Sequence, residues 1–268
     1  MENGLIHIRV IDSGCMKTSS FSRFLIPAVA VLILGLFSCS STGRVYISSG
    51  GSGEAAVSIN LSPLVLRYAG DIAGGFSAEQ PEGNLRIFDT EKLRTRLNAI
   101  DGVDLIAAAD PAPDRFSFSF SFEHIGNLFP SKDSSAGNVL TFTRKNGIKT
   151  LVFNLNAGNF SSVTGFLGFG NDEIMETFGP QTGEPYSKED YLELVEFLFD
   201  EYASKESIDT IMEEAVIRFS LSVEGKNLAI KGDSPVVSSV KGAEGIVEVP
   251  LIAFLTLSKP VVFRAEWE

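Results

Sequence analysis

Apolar and polar residues alternate most strictly at residues 116–122, FSFSFSF. A period of two puts Phe116, Phe118, Phe120 and Phe122 on one face of a strand and three serines on the other. Burying each Phe is worth ~1.5–3 kcal/mol, so at most roughly 6–12 kcal/mol rides on this strand. Val103 to Ala108 is predicted to pair with it across the turn DPAPD at residues 110–114. Two further hairpins are expected. In RVYISSGGSGEAAVSINL, residues 44–61, Val45 and Ile47 alternate with polar positions, as do Val57, Ile59 and Leu61. The glycine-rich residues 50–53 lie between them, where a turn belongs. Val139 to Arg144 and Lys149 to Leu155 flank Asn146 and Gly147, a pair that suits a type I′ turn because both central residues need positive φ. Strands are predicted again at 216–223, 228–231, 246–249 and 260–267.

Helical spacing appears between these runs. Ser62 and Pro63 open a helix expected to reach about Ala73 and to stop at Gly74 and Gly75. Asp89 is placed to cap a second, with Leu93, Leu97 and Ile100 on one face and Lys92, Arg94 and Arg96 on the other. Ser187 caps a third, from Lys188 to about Ala203, with Asp190 completing part of a capping box. Tyr191, Leu194, Val195, Leu198 and Tyr202 share its apolar stripe, which Phe197 and Phe199 are expected to widen. Glu193, Glu196, Asp200 and Glu201 cover the rest. Residues 207–214 read as another helical piece and 251–257 as a short helix. Residues 159–178, NFSSVTGFLGFGNDEIMETF, follow neither period. Hairpins joined by tight turns imply an α+β fold: a largely antiparallel sheet with packed helices and a Phe-rich helical insert at about 159–214.

Before this domain comes an apolar run of 14 residues, Phe24 to Phe37. As a helix it would span roughly 21 Å, short of a bilayer core of about 30 Å. It is sized instead for the apolar part of a signal peptide, with Lys17 and Arg23 as its basic flank. Translation is expected to start at Met16, leaving residues 1–15 as an upstream extension. The run ends in Leu36-Phe37-Ser38-Cys39, which resembles a bacterial lipobox; Phe37 is bulkier than the residue usual there. The resemblance implies removal of residues 1–38 and diacylation of Cys39; the expected hairpin then leaves a tether at residues 39–43 and one domain over 44–268, and without it the tether reaches to Gly53. Two acyl chains hold a protein to a membrane where one does so only marginally. Without Cys15 and with Cys39 acylated, no internal disulfide can form. Ser40, rather than Asp, follows the cysteine, which by analogy with known sorting rules favours the outer membrane or cell surface over the inner membrane.

Charge narrows the partners. After residue 38 the chain holds 19 basic and 32 acidic residues, a net charge of −13. Such a surface disfavours nucleic acid and electrostatic docking on anionic lipid, and it tolerates cationic partners. Catalytic chemistry is not indicated. The domain has one histidine, His124, and no G-x-S-x-G elbow, so a hydrolase would have to be built around His124 alone. One histidine and one acylated cysteine do not make a usual zinc site. The acidic pairs Asp172-Glu173, Glu189-Asp190, Asp200-Glu201 and Glu213-Glu214 are sequence neighbours, which do not face each other on a helix. Neither calcium-loop spacing nor a phosphate loop is present. No cofactor and no metal are expected.

The Cys39 signal, the RVYISSGGSGEAAVSINLSP hairpin leading into a helix, the FSFSFSF strand and a last strand ending VVFRAEW together resemble the LppM-type lipoprotein domain of bacteria. The resemblance implies a membrane-attached, non-enzymatic protein linked to envelope lipids and host interaction, with no catalytic residues to carry over. The expected role is therefore binding. The first reading is a lipid or another apolar ligand held around Phe166, Phe169, Tyr191, Leu194 and Leu198, between sheet and helices. The second is an adhesin or assembly partner that uses its acidic exterior, with the protein partner open. The third is a hydrolase centred on His124.

Overall fold

All four phenylalanines of FSFSFSF are buried, each 3% exposed, and the intervening serines are half-exposed. The computed structural model describes residues 40–76, 90–129, 137–167, 179–181 and 184–268. These belong to one compact unit, Phe37–Glu268. A second unit, Met1–Leu36, lies outside the described residues, as do Cys39, Asp89 and Phe169.

The described fold is α+β, with two sheets that are antiparallel but for one pair of strands. The larger sheet has the order β3 (Val103–Ala112), β4 (Arg115–Phe122), β2 (Gly53–Asn60), β1 (Ser40–Ile47), β7 (Val216–Val223), β10 (Glu244–Pro250) and β9 (Val237–Lys241). β1 and β7 run parallel; Val45 pairs with Leu221. The smaller sheet has the order β5 (Leu140–Lys145), β6 (Ile148–Leu155), β11 (Val261–Trp267) and β8 (Ala229–Gly232). Asn146 and Gly147 join β5 to β6 with φ of 54° and 82°, as the sequence predicts. The proline in β3, Pro111, sits on an edge strand, where its missing N–H costs no ladder bond.

The two sheets face each other. Phe153 of β6 lies 6.3 Å from Phe219 of β7, ring to ring. Helices cover the Phe face at β4. There α2 (Thr90–Leu97) and α3 (Phe160–Leu167) close the core, with Phe166 5.2 Å from Phe120. Phe166 thus plugs the end of the Phe face. The opposite face of the larger sheet is open and carries Thr42, Arg44, Ala56, Ser58, Ser117 and Ser119.

Four helices gather at one end of this sandwich: α1 (Pro63–Phe76), α4 (Lys188–Phe199), α5 (Lys205–Glu214) and α6 (Leu251–Thr256), the last also touching the sandwich core where Phe254 meets Phe160 at 5.5 Å. Leu64, Tyr191, Val195, Phe199, Ile208, Met212 and Ile252 form a core of their own between them. Helix α1 continues to Phe76, past the expected stop at Gly74 and Gly75. Its start is as read, with Ser62 Oγ accepting the Val65 N–H at 3.3 Å. Helix α4 ends earlier than expected, at Phe199, with Ser187 Oγ accepting the Asp190 N–H at its start. Phe197 does not widen the buried stripe. It is 76% exposed.

One sequence expectation fails at the beginning of the domain. Ser40 to Gly43 are not a tether but the first half of β1. Ser40 pairs with Asn60 and Thr42 with Ser58, and on the other side Ser41 pairs with Ile217. Backbone bonding on both sides suffices to hold this polar segment in a ladder, so hydrophobic alternation does not mark where the strand starts.

Candidate functional site

The helical cap has a fixed place in the topology. Helix α1 follows Asn60 at the end of β2, α5 enters β7 through Ala215, and α6 follows Pro250 at the end of β10. Asn60 pairs with Ser40, Val216 with Pro250, and Leu251 N–H donates to Ala215 O at 2.8 Å. The cap therefore sits at the end of the larger sheet where β1 begins. The opposite end holds the β1–β2 turn, where Gly51 meets the Phe142 ring of β5, and the Asn146-Gly147 turn beyond it.

Of the five residues expected to line one apolar site, the four described ones are not gathered together. Phe166 belongs to the sandwich core, 4.9 Å from Phe129. Tyr191 and Leu198 belong to the cap core. Burial pushes the Tyr191 hydroxyl above its usual pKa, with the Tyr186 phenol adding to it. Leu194 is half-buried on α4. Phe169 lies outside the described residues. Two separate cores between sheet and helices replace the single layer the sequence suggested.

His124 is exposed and caps a short 3₁₀ turn, Ile125–Asn127. Its Nδ1 accepts the Gly126 N–H at 3.2 Å, and its ring meets Phe142 edge-on at 5.6 Å. Among the described residues no serine hydroxyl or carboxylate is hydrogen-bonded to it. Among the same residues no group of three His, Cys, Asp or Glu side chains is placed to hold a metal. No described helix is long and apolar enough to cross a membrane.

What the cap does display is charge around an aromatic ring. Residues 188–214 hold ten carboxylates and two lysines, a net charge of −8 out of the chain's −12. Both lysines are engaged: Lys188 Nζ lies 2.8 Å from Glu213 and Lys205 Nζ 2.6 Å from Glu196, each pair joining α4 to α5. The bond to Glu196 raises the Lys205 pKa. Asp209, behind this pair, has its carboxyl raised by lost hydration and by Glu196. At the inner rim, Tyr202 donates to Asp71 at 2.7 Å, which raises its hydroxyl to about 12. Between α4 and α5 runs an open groove of about 390 Å³, lined by Glu193, Glu196, Phe197, Asp200, Ala203, Lys205 and Ile208.

No protein family matches the chain, and no curated protein matches it in sequence. Among solved structures, the chain is similar to the NMR structure of the folded domain of LppM from Mycobacterium tuberculosis. The two are 8% identical over 87% of this chain and 90% of that one, with a TM-score of 0.36. At this level of similarity no property of that domain carries across to this chain.

Proposed function

We propose that this chain is a lipoprotein of the bacterial envelope that is exported on its apolar leader, acylated at Cys39, and works at the membrane surface by binding. The supporting observation is that Ser40, one peptide bond after Cys39, already belongs to β1. β1 is the middle strand of seven. Consecutive Cα atoms are ~3.8 Å apart, so no slack separates the acyl chains from the core of the fold. The helical cap, at the same end, is then held against the bilayer. Ser40 as the residue after the cysteine favours the outer membrane or surface.

The binding role reads as contact with a protein. Phe197 is exposed among carboxylates on the cap, and Phe166 packs in one core while Tyr191 and Leu198 pack in another. Two experiments test this function. Labelled palmitate should enter the wild type and not Cys39→Ala; labelling of the variant removes the anchor. Lipid extraction and mass spectrometry of the purified protein should find no stoichiometric lipid beyond the one at Cys39. A bound lipid would restore the apolar-ligand reading.

A further inference from the structure

We infer that the groove between α4 and α5 is a docking site for a basic protein segment, one that lays an apolar or aromatic side chain against Phe197 and cationic side chains against Glu193 and Asp200. The inference deepens the binding role proposed for the cap. It does not depend on lipidation, so palmitate labelling and the titration below fail separately.

The ring at position 197 is the starting point. It is 76% exposed, the most exposed large apolar side chain among the described residues. Beside it along the groove lie Ala203 and the carboxylates of Glu193, Glu196 and Asp200, with Ile208 of the cap core behind them. On a helix, residues three and four apart are neighbours. Glu193 and Asp200 therefore flank Phe197 along α4, on the side away from the cap core. An aromatic anchor inside a charged rim is the arrangement that concentrates binding energy in protein interfaces.

Charge selects the occupant. The two lysines of the segment are taken up by Glu196 and Glu213, so Glu193 and Asp200 present their charge outward. A second copy of the chain would bring one −8 surface against another. A phosphate-bearing lipid surface would be repelled in the same way. A cationic peptide is attracted, and its aliphatic or aromatic side chain removes Phe197 from water. Close charge pairs around such an anchor govern both rate and specificity of encounter.

The test uses the mature protein as purified, in phosphatidylcholine nanodiscs if it is acylated and in buffer if it is not, with a fluorescein-labelled peptide of sequence Lys-Lys-Trp-Lys-Lys followed by anisotropy. The expected result is saturable binding that weakens at least tenfold between 50 and 300 mM salt. Phe197→Ala should weaken it at least fivefold, and Glu193→Lys with Asp200→Lys at least tenfold. Glu214→Gln, outside the groove, should leave it unchanged. A peptide with glycine in place of tryptophan should bind at least fivefold more weakly. Absence of binding, equal binding by Phe197→Ala, or equal uptake by empty nanodiscs overturns the inference. A Phe197→Trp variant quenched by brominated lipid would assign the ring to the bilayer and overturn it as well.

Discussion

Ser40 and Asn60 are register partners at one end of the larger sheet, and they mark the chain's two crossings there: one toward Cys39, the other into the helical cap. An acyl group on Cys39 is thus fixed to the sheet end that carries the helices. Cys39→Ala should move the protein from the membrane to the soluble fraction on cell fractionation. Its urea unfolding midpoint should stay within error of that of the signal-cleaved parent, because the described ladder is made by Ser40 and the residues after it.

The Phe and Ser faces of β4 should respond oppositely to substitution. Phe120 touches Phe118, Phe122 and Phe166 from a buried position. Phe120→Ala should cost about 3–5 kcal/mol, the usual range for emptying such a site. Ser119 faces the open side between Ala56 and Ala107, and Ser119→Ala should stay within about 0.5 kcal/mol. Urea denaturation of both variants measures the difference. A similar loss at the two positions would mean that the open face is covered.

Gly53 begins β2 where a side chain has no room. A Cβ there would lie 1.9 Å from the Tyr46 carbonyl oxygen and 2.9 Å from the Phe122 ring. The oxygen is backbone and cannot move without disturbing the β1–β2 ladder. Gly53→Ala should destabilise by at least the roughly 1–3 kcal/mol of an overpacked core, read as a lower thermal midpoint by circular dichroism.

Acid should loosen the end of the sandwich far from the cap. The Ser49 N–H donates to Glu224 Oε2 at 2.7 Å, tying the β1–β2 turn to the end of β7. This backbone bond, with help from the Ser49 hydroxyl and Lys149, holds the Glu224 carboxyl below its ordinary 4.5. A carboxylate with a lowered folded pKa contributes stability above the unfolded value, and that stability is lost as pH falls through the folded one. The urea midpoint should therefore fall below about pH 4.5, and less steeply in Glu224→Gln. Equal acid limbs in the two proteins would show that the bond contributes nothing.

Local pattern made much of this legible. FSFSFSF, the Asn146-Gly147 turn and the caps at Ser62 and Ser187 each carry their structural reason in a few adjacent residues. Phe197 was legible too: at ~100° per residue it lies about 120° from Tyr191, outside the stripe that Tyr191, Val195 and Leu198 share. Its exposure follows from helix geometry, and sheer apolarity had suggested otherwise. The parallel pairing of β1 with β7 had no such signal. Val45 and Leu221 meet across most of the chain, and nothing local to either strand names its partner. The separation of cap from sandwich was hidden for the same reason. Phe166 and Tyr191 look alike in sequence as apolar residues of one insert, and only long-range packing assigns them to different cores.

Which end of the domain faces the membrane can be decided by a distance. Single cysteines would be introduced as Asp200→Cys in the cap and Lys145→Cys at the far end, each in the mature acylated protein. Each would be labelled with a donor dye and placed in vesicles carrying a headgroup acceptor. Eight strand residues at ~3.3 Å rise span about 26 Å. The cap label should lie nearer the bilayer by at least that order of distance, with correspondingly stronger energy transfer. Equal transfer from the two labels, or stronger transfer from position 145, would contradict the anchored, cap-first orientation.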